Sequence, residues 1–102
     1  MRAINTLQNI DVATRELREI LAIRRDPQQE QNTRLQTALG DTQNGIRVLN
    51  EGGIYSDAVT RLTEARDLIS QAQQTGDAGL RRSLVQQAIT KLGEARDLVA
   101  TS

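Results

Sequence analysis

Apolar residues recur along this chain at steps of three and four, the spacing that gathers them on one face of an α-helix. In the first segment Ala3, Leu7, Ile10, Leu17 and Leu21 form such a stripe, widened by Ala13 and Ile20. A second stripe runs through Leu35, Leu39, Thr42, Ile46 and Leu49. A third holds Tyr55, Ala58, Leu62, Ala65, Ile69 and Ala72, flanked by Val59 and Leu68. The fourth holds Val85, Ala88, Leu92, Ala95 and Val99, flanked by Leu84, Ile89 and Leu98. No stretch alternates with the two-residue period of a strand.

The gaps between stripes carry the chemistry of helix ends. Asp26-Pro27-Gln28-Gln29 offers a capping carboxylate, a proline at the first helical position and a glutamine at the third. Gly52-Gly53 suits a left-handed end to the second segment, and Gly76 suits the same role after the third. Asp77 then caps the fourth. Helices are expected near residues 3–25, 28–51, 54–75 and 78–100, within one helical domain over residues 1–102. Matched lengths and short connections predict an all-α fold, either an antiparallel, up-down-up-down four-helix bundle or two stacked helical hairpins. Gly40 and Gly45 weaken the second helix, and Asp41 could cap a fresh start, so a kink is expected there.

Residues 58–70 and 88–100 repeat one another at an offset of 30. Eight of the thirteen positions are identical and three more are conservative, which predicts a pseudo-symmetric hairpin of helices three and four. Its Ala/Leu/Ala seam lets two backbones approach closely, with Leu62 and Leu92 at the centre. The shared Glu-Ala-Arg-Asp motif places its charges beside the buried alanine, toward solvent.

The stretch Gly53-Ile-Tyr55-Ser-Asp-Ala58-Val-Thr-Arg-Leu62-Thr-Glu-Ala65 resembles the turn and second helix of a tetratricopeptide repeat. That resemblance covers 13 of 102 residues. It implies helices packed through small residues and, on stacking, a concave peptide-binding face. The chain departs from the family in its period of 30 rather than the family's roughly 34 residues. Ser83 and Val85 stand where Gly and Tyr would recur, the first helix lacks a large aromatic, and no proline follows.

Composition narrows the function. Leu, Ile and Val supply 25 of 102 residues and there is no Phe or Trp, so the core is thin for an independent domain. Thirteen basic and thirteen acidic side chains are interspersed and the net charge is zero. This balance argues against a nucleic-acid binder and leaves no polybasic segment for a membrane surface. No apolar run reaches membrane-span length, the start shows no signal-peptide stretch, and cysteine is absent. A cytoplasmic setting, or a place in a soluble particle, is therefore expected.

The chain has no His and no Cys, which removes the usual general base, thiolate chemistry and the common zinc and haem sites. No catalytic residue, metal, cofactor or small-molecule substrate is expected. Lys91 has Arg61 as its twin in the repeat and reads as surface, while Tyr55, the sole aromatic, reads as packing. Thr14 and Thr42 fall on inward stripes, where a hydroxyl bonds its own helix's carbonyl.

Two features are candidates for binding. Val12 and Ile23 share the far side of helix one from its stripe, a possible intermolecular contact. An up-down-up-down chain also brings Arg24 and Arg25 to the same end as Arg81 and Arg82. There they are either solvated beside Asp26, Glu30 and Asp77, or a contact for an acidic surface or phosphate on a partner. The expected function is a non-enzymatic structural or assembly subunit that fills, cements, caps or connects a larger complex, as in a virion or similar particle. Its partner would be another protein or further copies of itself. The alternative is a small tetratricopeptide-like adaptor or regulator that binds one protein partner.

Overall fold

The computed structural model describes residues 2–22, 28–53 and 55–101, and shows four helices. They are α1 (Arg2–Ala22), α2 (Gln28–Gly52), α3 (Ser56–Gln74) and α4 (Ala78–Ala100). Each packs on its chain neighbours, and α1 also packs on α4, closing the ring. Among the described residues the diagonal pairs do not pack along their lengths. The result is an up-down-up-down bundle with extents of 39 × 19 × 18 Å. Among the described residues the α1–α4 seam closes the bundle, whereas a tetratricopeptide-like stack implies an open, concave face.

The buried positions follow alternating steps of three and four along each helix, the spacing that keeps one seam facing inward, with Leu84 added beside the seam in α4. In α1 these are Thr6, Ile10, Ala13, Leu17 and Ile20, and in α2 Leu35, Ala38, Thr42, Gly45 and Leu49. In α3 they are Ala58, Leu62, Ala65, Ile69 and Ala72. In α4 they are Arg81, Leu84, Val85, Ala88, Leu92, Ala95 and Val99. Leu62 and Leu92 are both fully buried, as expected. In α2 the buried seam takes in Ala38 and Gly45, one residue before Leu39 and Ile46, which pack against the core only in part. The reason is close approach. A Cβ added at Gly45 would lie 3.4 Å from Leu62 Cδ1 and 3.7 Å from Thr6 Cγ2.

α2 runs unbroken through Gly40 and Gly45, so Asp41 starts no new helix there. Thr42 donates to the Ala38 carbonyl at 2.8 Å, the inward-facing hydroxyl bond anticipated from the stripe. Thr14 is only half-buried, and Thr6 is the fully buried threonine of α1.

Of the helix ends, Gly53 takes the left-handed conformation (φ 71°) and donates to the Leu49 carbonyl at 3.0 Å, closing α2 as expected. Gly76 does not. α3 ends instead on extended Thr75, whose N–H donates to the Gln71 carbonyl and whose hydroxyl accepts from Asp77 N–H. Asp77 caps α4 by accepting from the N–H groups of Gly79 and Leu80. Asp26 and Pro27 lie outside the described residues.

The repeat has a visible cause. α3 and α4 make the most extensive of the four pairings. Across that seam Arg61 contacts Glu94 (3.2 Å) and Lys91 contacts Glu64 (3.3 Å), while within each helix Arg61 contacts Glu64 (3.1 Å) and Lys91 contacts Glu94 (3.8 Å). The same Arg/Lys-x-x-Glu spacing on two antiparallel helices closes a four-membered ring of charge. Hydrogen bonds from Arg61 and then Lys91 hold the Glu64 carboxyl below the usual range. The motif's remaining arginines, Arg66 and Arg96, line the grooves on either side, toward α2 and α1.

Candidate protein-interaction surfaces

The end of the bundle where α1 and α3 finish and α2 and α4 begin holds the arginines singled out from the sequence. Arg24, Arg25 and Ile23 lie outside the described residues. Arg81 and Arg82, in the first turn of α4, would oppose that helix's own dipole. They turn instead to the carbonyl ends of its antiparallel neighbours. Arg82 Nη2 donates to the Leu21 carbonyl of α1 at 3.0 Å. Arg81 Nη2 donates to the Thr75 carbonyl at the end of α3 (3.1 Å), and its Nη1 to Gln31 Oε1 of α2 (2.8 Å). A helix C-terminus carries partial negative charge and unsatisfied carbonyls, so these are the sites where a guanidinium is favoured. Arg81 is buried in doing so, at 4% exposure, and Arg82 is half-buried. Val12 is also half-buried, outside the core cluster.

Charge along the α1–α2 seam has a different character. Arg34 of α2 pairs with both Glu16 and Glu19 of α1. Asp41, half-buried nearby, has its carboxyl raised above the ordinary value of 3.8. Desolvation is the main cause, repulsion by Glu16 adds to it, and Arg15 opposes it. The sequence places Asp41 beside the stripe but gives no register between α1 and α2, so this shift was not foreseen. A raised folded value means that the folded chain prefers the protonated acid. The stability so gained is present below pH 3.8 and lost as pH rises through the folded value. Asp41→Asn is therefore expected to raise stability at pH 7 by up to about 0.5 kcal/mol, the scale of a near-surface change. The gain should vanish at acid pH. Urea melts of both proteins at pH 7 and pH 3 check this, and a loss of stability at pH 7 would contradict it.

Three shallow grooves follow the helix seams. The α1–α2 groove is polar and is lined by Glu16, Glu30, Thr33 and Arg34. The α2–α3 groove centres on Ile46, between Arg47 and Arg66. The α1–α4 groove is the most apolar of the three, with Ile89, Gly93 and Ala22 among its lining and Arg15, Arg18 and Arg96 along it. It lies on the least extensive of the four helix pairings.

Reactive side chains are engaged elsewhere. The Lys91 ammonium sits in the charge ring with Glu64 and Glu94. Tyr55 is half-buried against the core and precedes α3 without a side-chain capping bond. Among the described residues no three potential metal-ligating side chains come together, and no helix is long and apolar enough to cross a membrane. No protein-family model, curated protein or solved structure matches this chain.

Proposed function

We propose that this chain is a non-enzymatic assembly subunit, a compact helical block that gains its full stability within a larger protein complex. The observation that carries this reading is the make-up of the core. Seven of its eighteen buried hydrophobic residues are alanine. Alanine permits close helix approach but buries little area, and buried apolar area is the main favourable term in folding. A chain of this length with so many small core residues has little stability to spare as an isolated monomer. Burial of further surface against a partner adds to it by mass action. The composition is consistent with this role, since it holds neither His nor Cys and the single Lys is ion-paired.

Light scattering and urea melts on the purified chain, together with cross-linking mass spectrometry on native extract, test the proposal. The expected result is a stoichiometric complex in the extract, with the isolated chain either self-associated or melting at low denaturant. A stable monomer in both preparations would overturn it.

A further inference from the structure

We propose that the groove between α1 and α4 receives an acidic amphipathic helix from a partner protein, packed alongside the bundle as a fifth helix. This inference rests on the assembly reading above and names the surface and the chemistry of the partner.

The rim of the groove supplies the first observation. Side chains of nine arginines are described, and seven of them have a partner within the chain. Arg15 and Arg18 form neither a hydrogen bond nor a close ion pair, Arg15 feeling only the charge of Asp41 at longer range, and both line this groove. Arg96, also on the rim, is held by Asp11 at 3.0 Å. Two exposed guanidiniums along one edge, neither held by a hydrogen bond within the chain, favour carboxylates on whatever binds there, because arginine's fork matches a carboxylate with two parallel hydrogen bonds.

The floor supplies the second. Gly93 occupies the position that Thr63 holds in the other copy of the repeat, where the threonine hydroxyl bonds the Val59 carbonyl. Glycine weakens a helix interior, and here nothing in the chain calls for it. A Cβ at position 93 would meet no atom within 4 Å. Its effect is to lower the floor beside half-buried Ile89, so that another backbone can approach closely. From Asp11 to Ala22 the groove follows α1 for about 16 Å, which is about three turns of an incoming helix. Helices docked in this way place small or apolar side chains on the floor and charged ones on the rim.

Other occupants fit less well. The groove's own carboxylates are already engaged, Asp11 by Arg96 and Glu19 by Arg34, and a nucleic-acid strand would find an apolar floor with no aromatic side chain to stack its bases on, in a chain of zero net charge. A second copy of this chain has its four apolar stripes already buried in its own core, and Leu80 is its one exposed large apolar side chain among the described residues. The occupant is thus a separate protein with an unspent stripe flanked by Asp or Glu.

The test uses the full chain and a labelled helical peptide of about 18 residues, long enough to span the groove. The peptide carries Ala and Leu on one face and Glu on both flanks. A second peptide has every Glu replaced by Lys, and a short oligouridylate serves as the nucleic-acid probe. Fluorescence anisotropy should show the Glu peptide binding at least about tenfold tighter than the Lys peptide, and more tightly at low salt than at high. The double variant Arg15→Gln/Arg18→Gln should lose about tenfold in affinity and most of the salt dependence. Gly93→Leu should abolish binding while its circular dichroism melt stays at or above that of the parent chain.

Absence of Glu-peptide binding, equal binding of the two peptides, preference for the oligonucleotide, or indifference to both sets of variants would each overturn the proposal. The fate of the chain in native extract separates this inference from the reading beneath it. If a complex forms and the groove variants enter it like the parent, the groove is excluded and the assembly role stands. If no complex forms at all, the assembly role itself falls.

Discussion

Leu62→Ala is expected to destabilise the bundle by about 4 kcal/mol, toward the upper end of the 2–5 kcal/mol range for such changes. Leu62 is fully buried, and its Cδ1 faces Gly45 across the α2–α3 seam. A truncated leucine leaves a cavity whose cost depends on how far its lining can relax. Glycine has no side chain to swing into the space, and the neighbouring Thr6 is fully buried in α1. Leu92→Ala, the pseudo-equivalent change in α4, should fall within the same range. A double-mutant cycle gives the sharper measurement. Gly45→Leu alone overfills the seam and should cost about 1–3 kcal/mol. Combined with Leu62→Ala, the new leucine occupies the space the old one vacated, so the double variant should be more stable than the sum of the singles predicts. Urea melts of the four proteins decide the matter. Additive losses, or a loss for Leu62→Ala below about 1 kcal/mol, would remove Leu62 from the centre of the core.

The pair of Leu62 and Gly45 also marks how far the sequence could be read. Period and capping residues sufficed for four helices, because both are local, and matched lengths with short connections pointed to their antiparallel order. Leu62 and Leu92 could be placed at the centre because the repeat aligns them. The inner face of α2 was legible only to within one residue. Leu39 and Ile46 are more hydrophobic than Ala38 and Gly45, so a reading by hydrophobicity sets them deepest. Yet α2 comes close to Leu62 and Thr6 at Gly45, and Leu39 and Ile46 pack at the flanks of the seam. Gly45 looked like a helix breaker and is a contact residue. Gly76 looked like a left-handed cap, but extended Thr75 and the Asp77 side chain already satisfy that turn.

The candidate surfaces were less legible, for a related reason. A groove is defined by which helices lie side by side, and the α1–α4 pairing joins residues about eighty apart, as Asp11 and Arg96 show. Nothing local in Gly93, Arg15 or Arg18 announces that they share a surface. The alternative reading of the charged end has the same limit. It foresaw that Arg81 and Arg82 would sit where two helices finish, but not that those finishing carbonyls would draw the guanidiniums inward.

That inward turn leads to the second large effect. Arg81→Ala is expected to cost about 2–3 kcal/mol, the scale of lost hydrogen bonds to a charged donor. The guanidinium joins three helices at once: it extends from α4 to the Thr75 carbonyl beyond α3 and to Gln31 of α2. Removing it leaves that carbonyl and the Gln31 amide oxygen without this donor at a largely enclosed position. It also deletes an aliphatic stem that is buried with the rest of the side chain. Arg81→Met restores the stem and removes the need to desolvate a charge, so it should recover about half of the loss. Arg81→Lys should recover less than Met, because one ammonium cannot reproduce the two-pronged contact and is more strongly hydrated. Arg82→Ala, at a half-buried position with one carbonyl partner, should cost about 1 kcal/mol. Chemical melts of the four variants give this order directly. If Arg81 instead served a partner at the surface, its variants would melt like the parent and fail only in assembly, an outcome that its burial argues against.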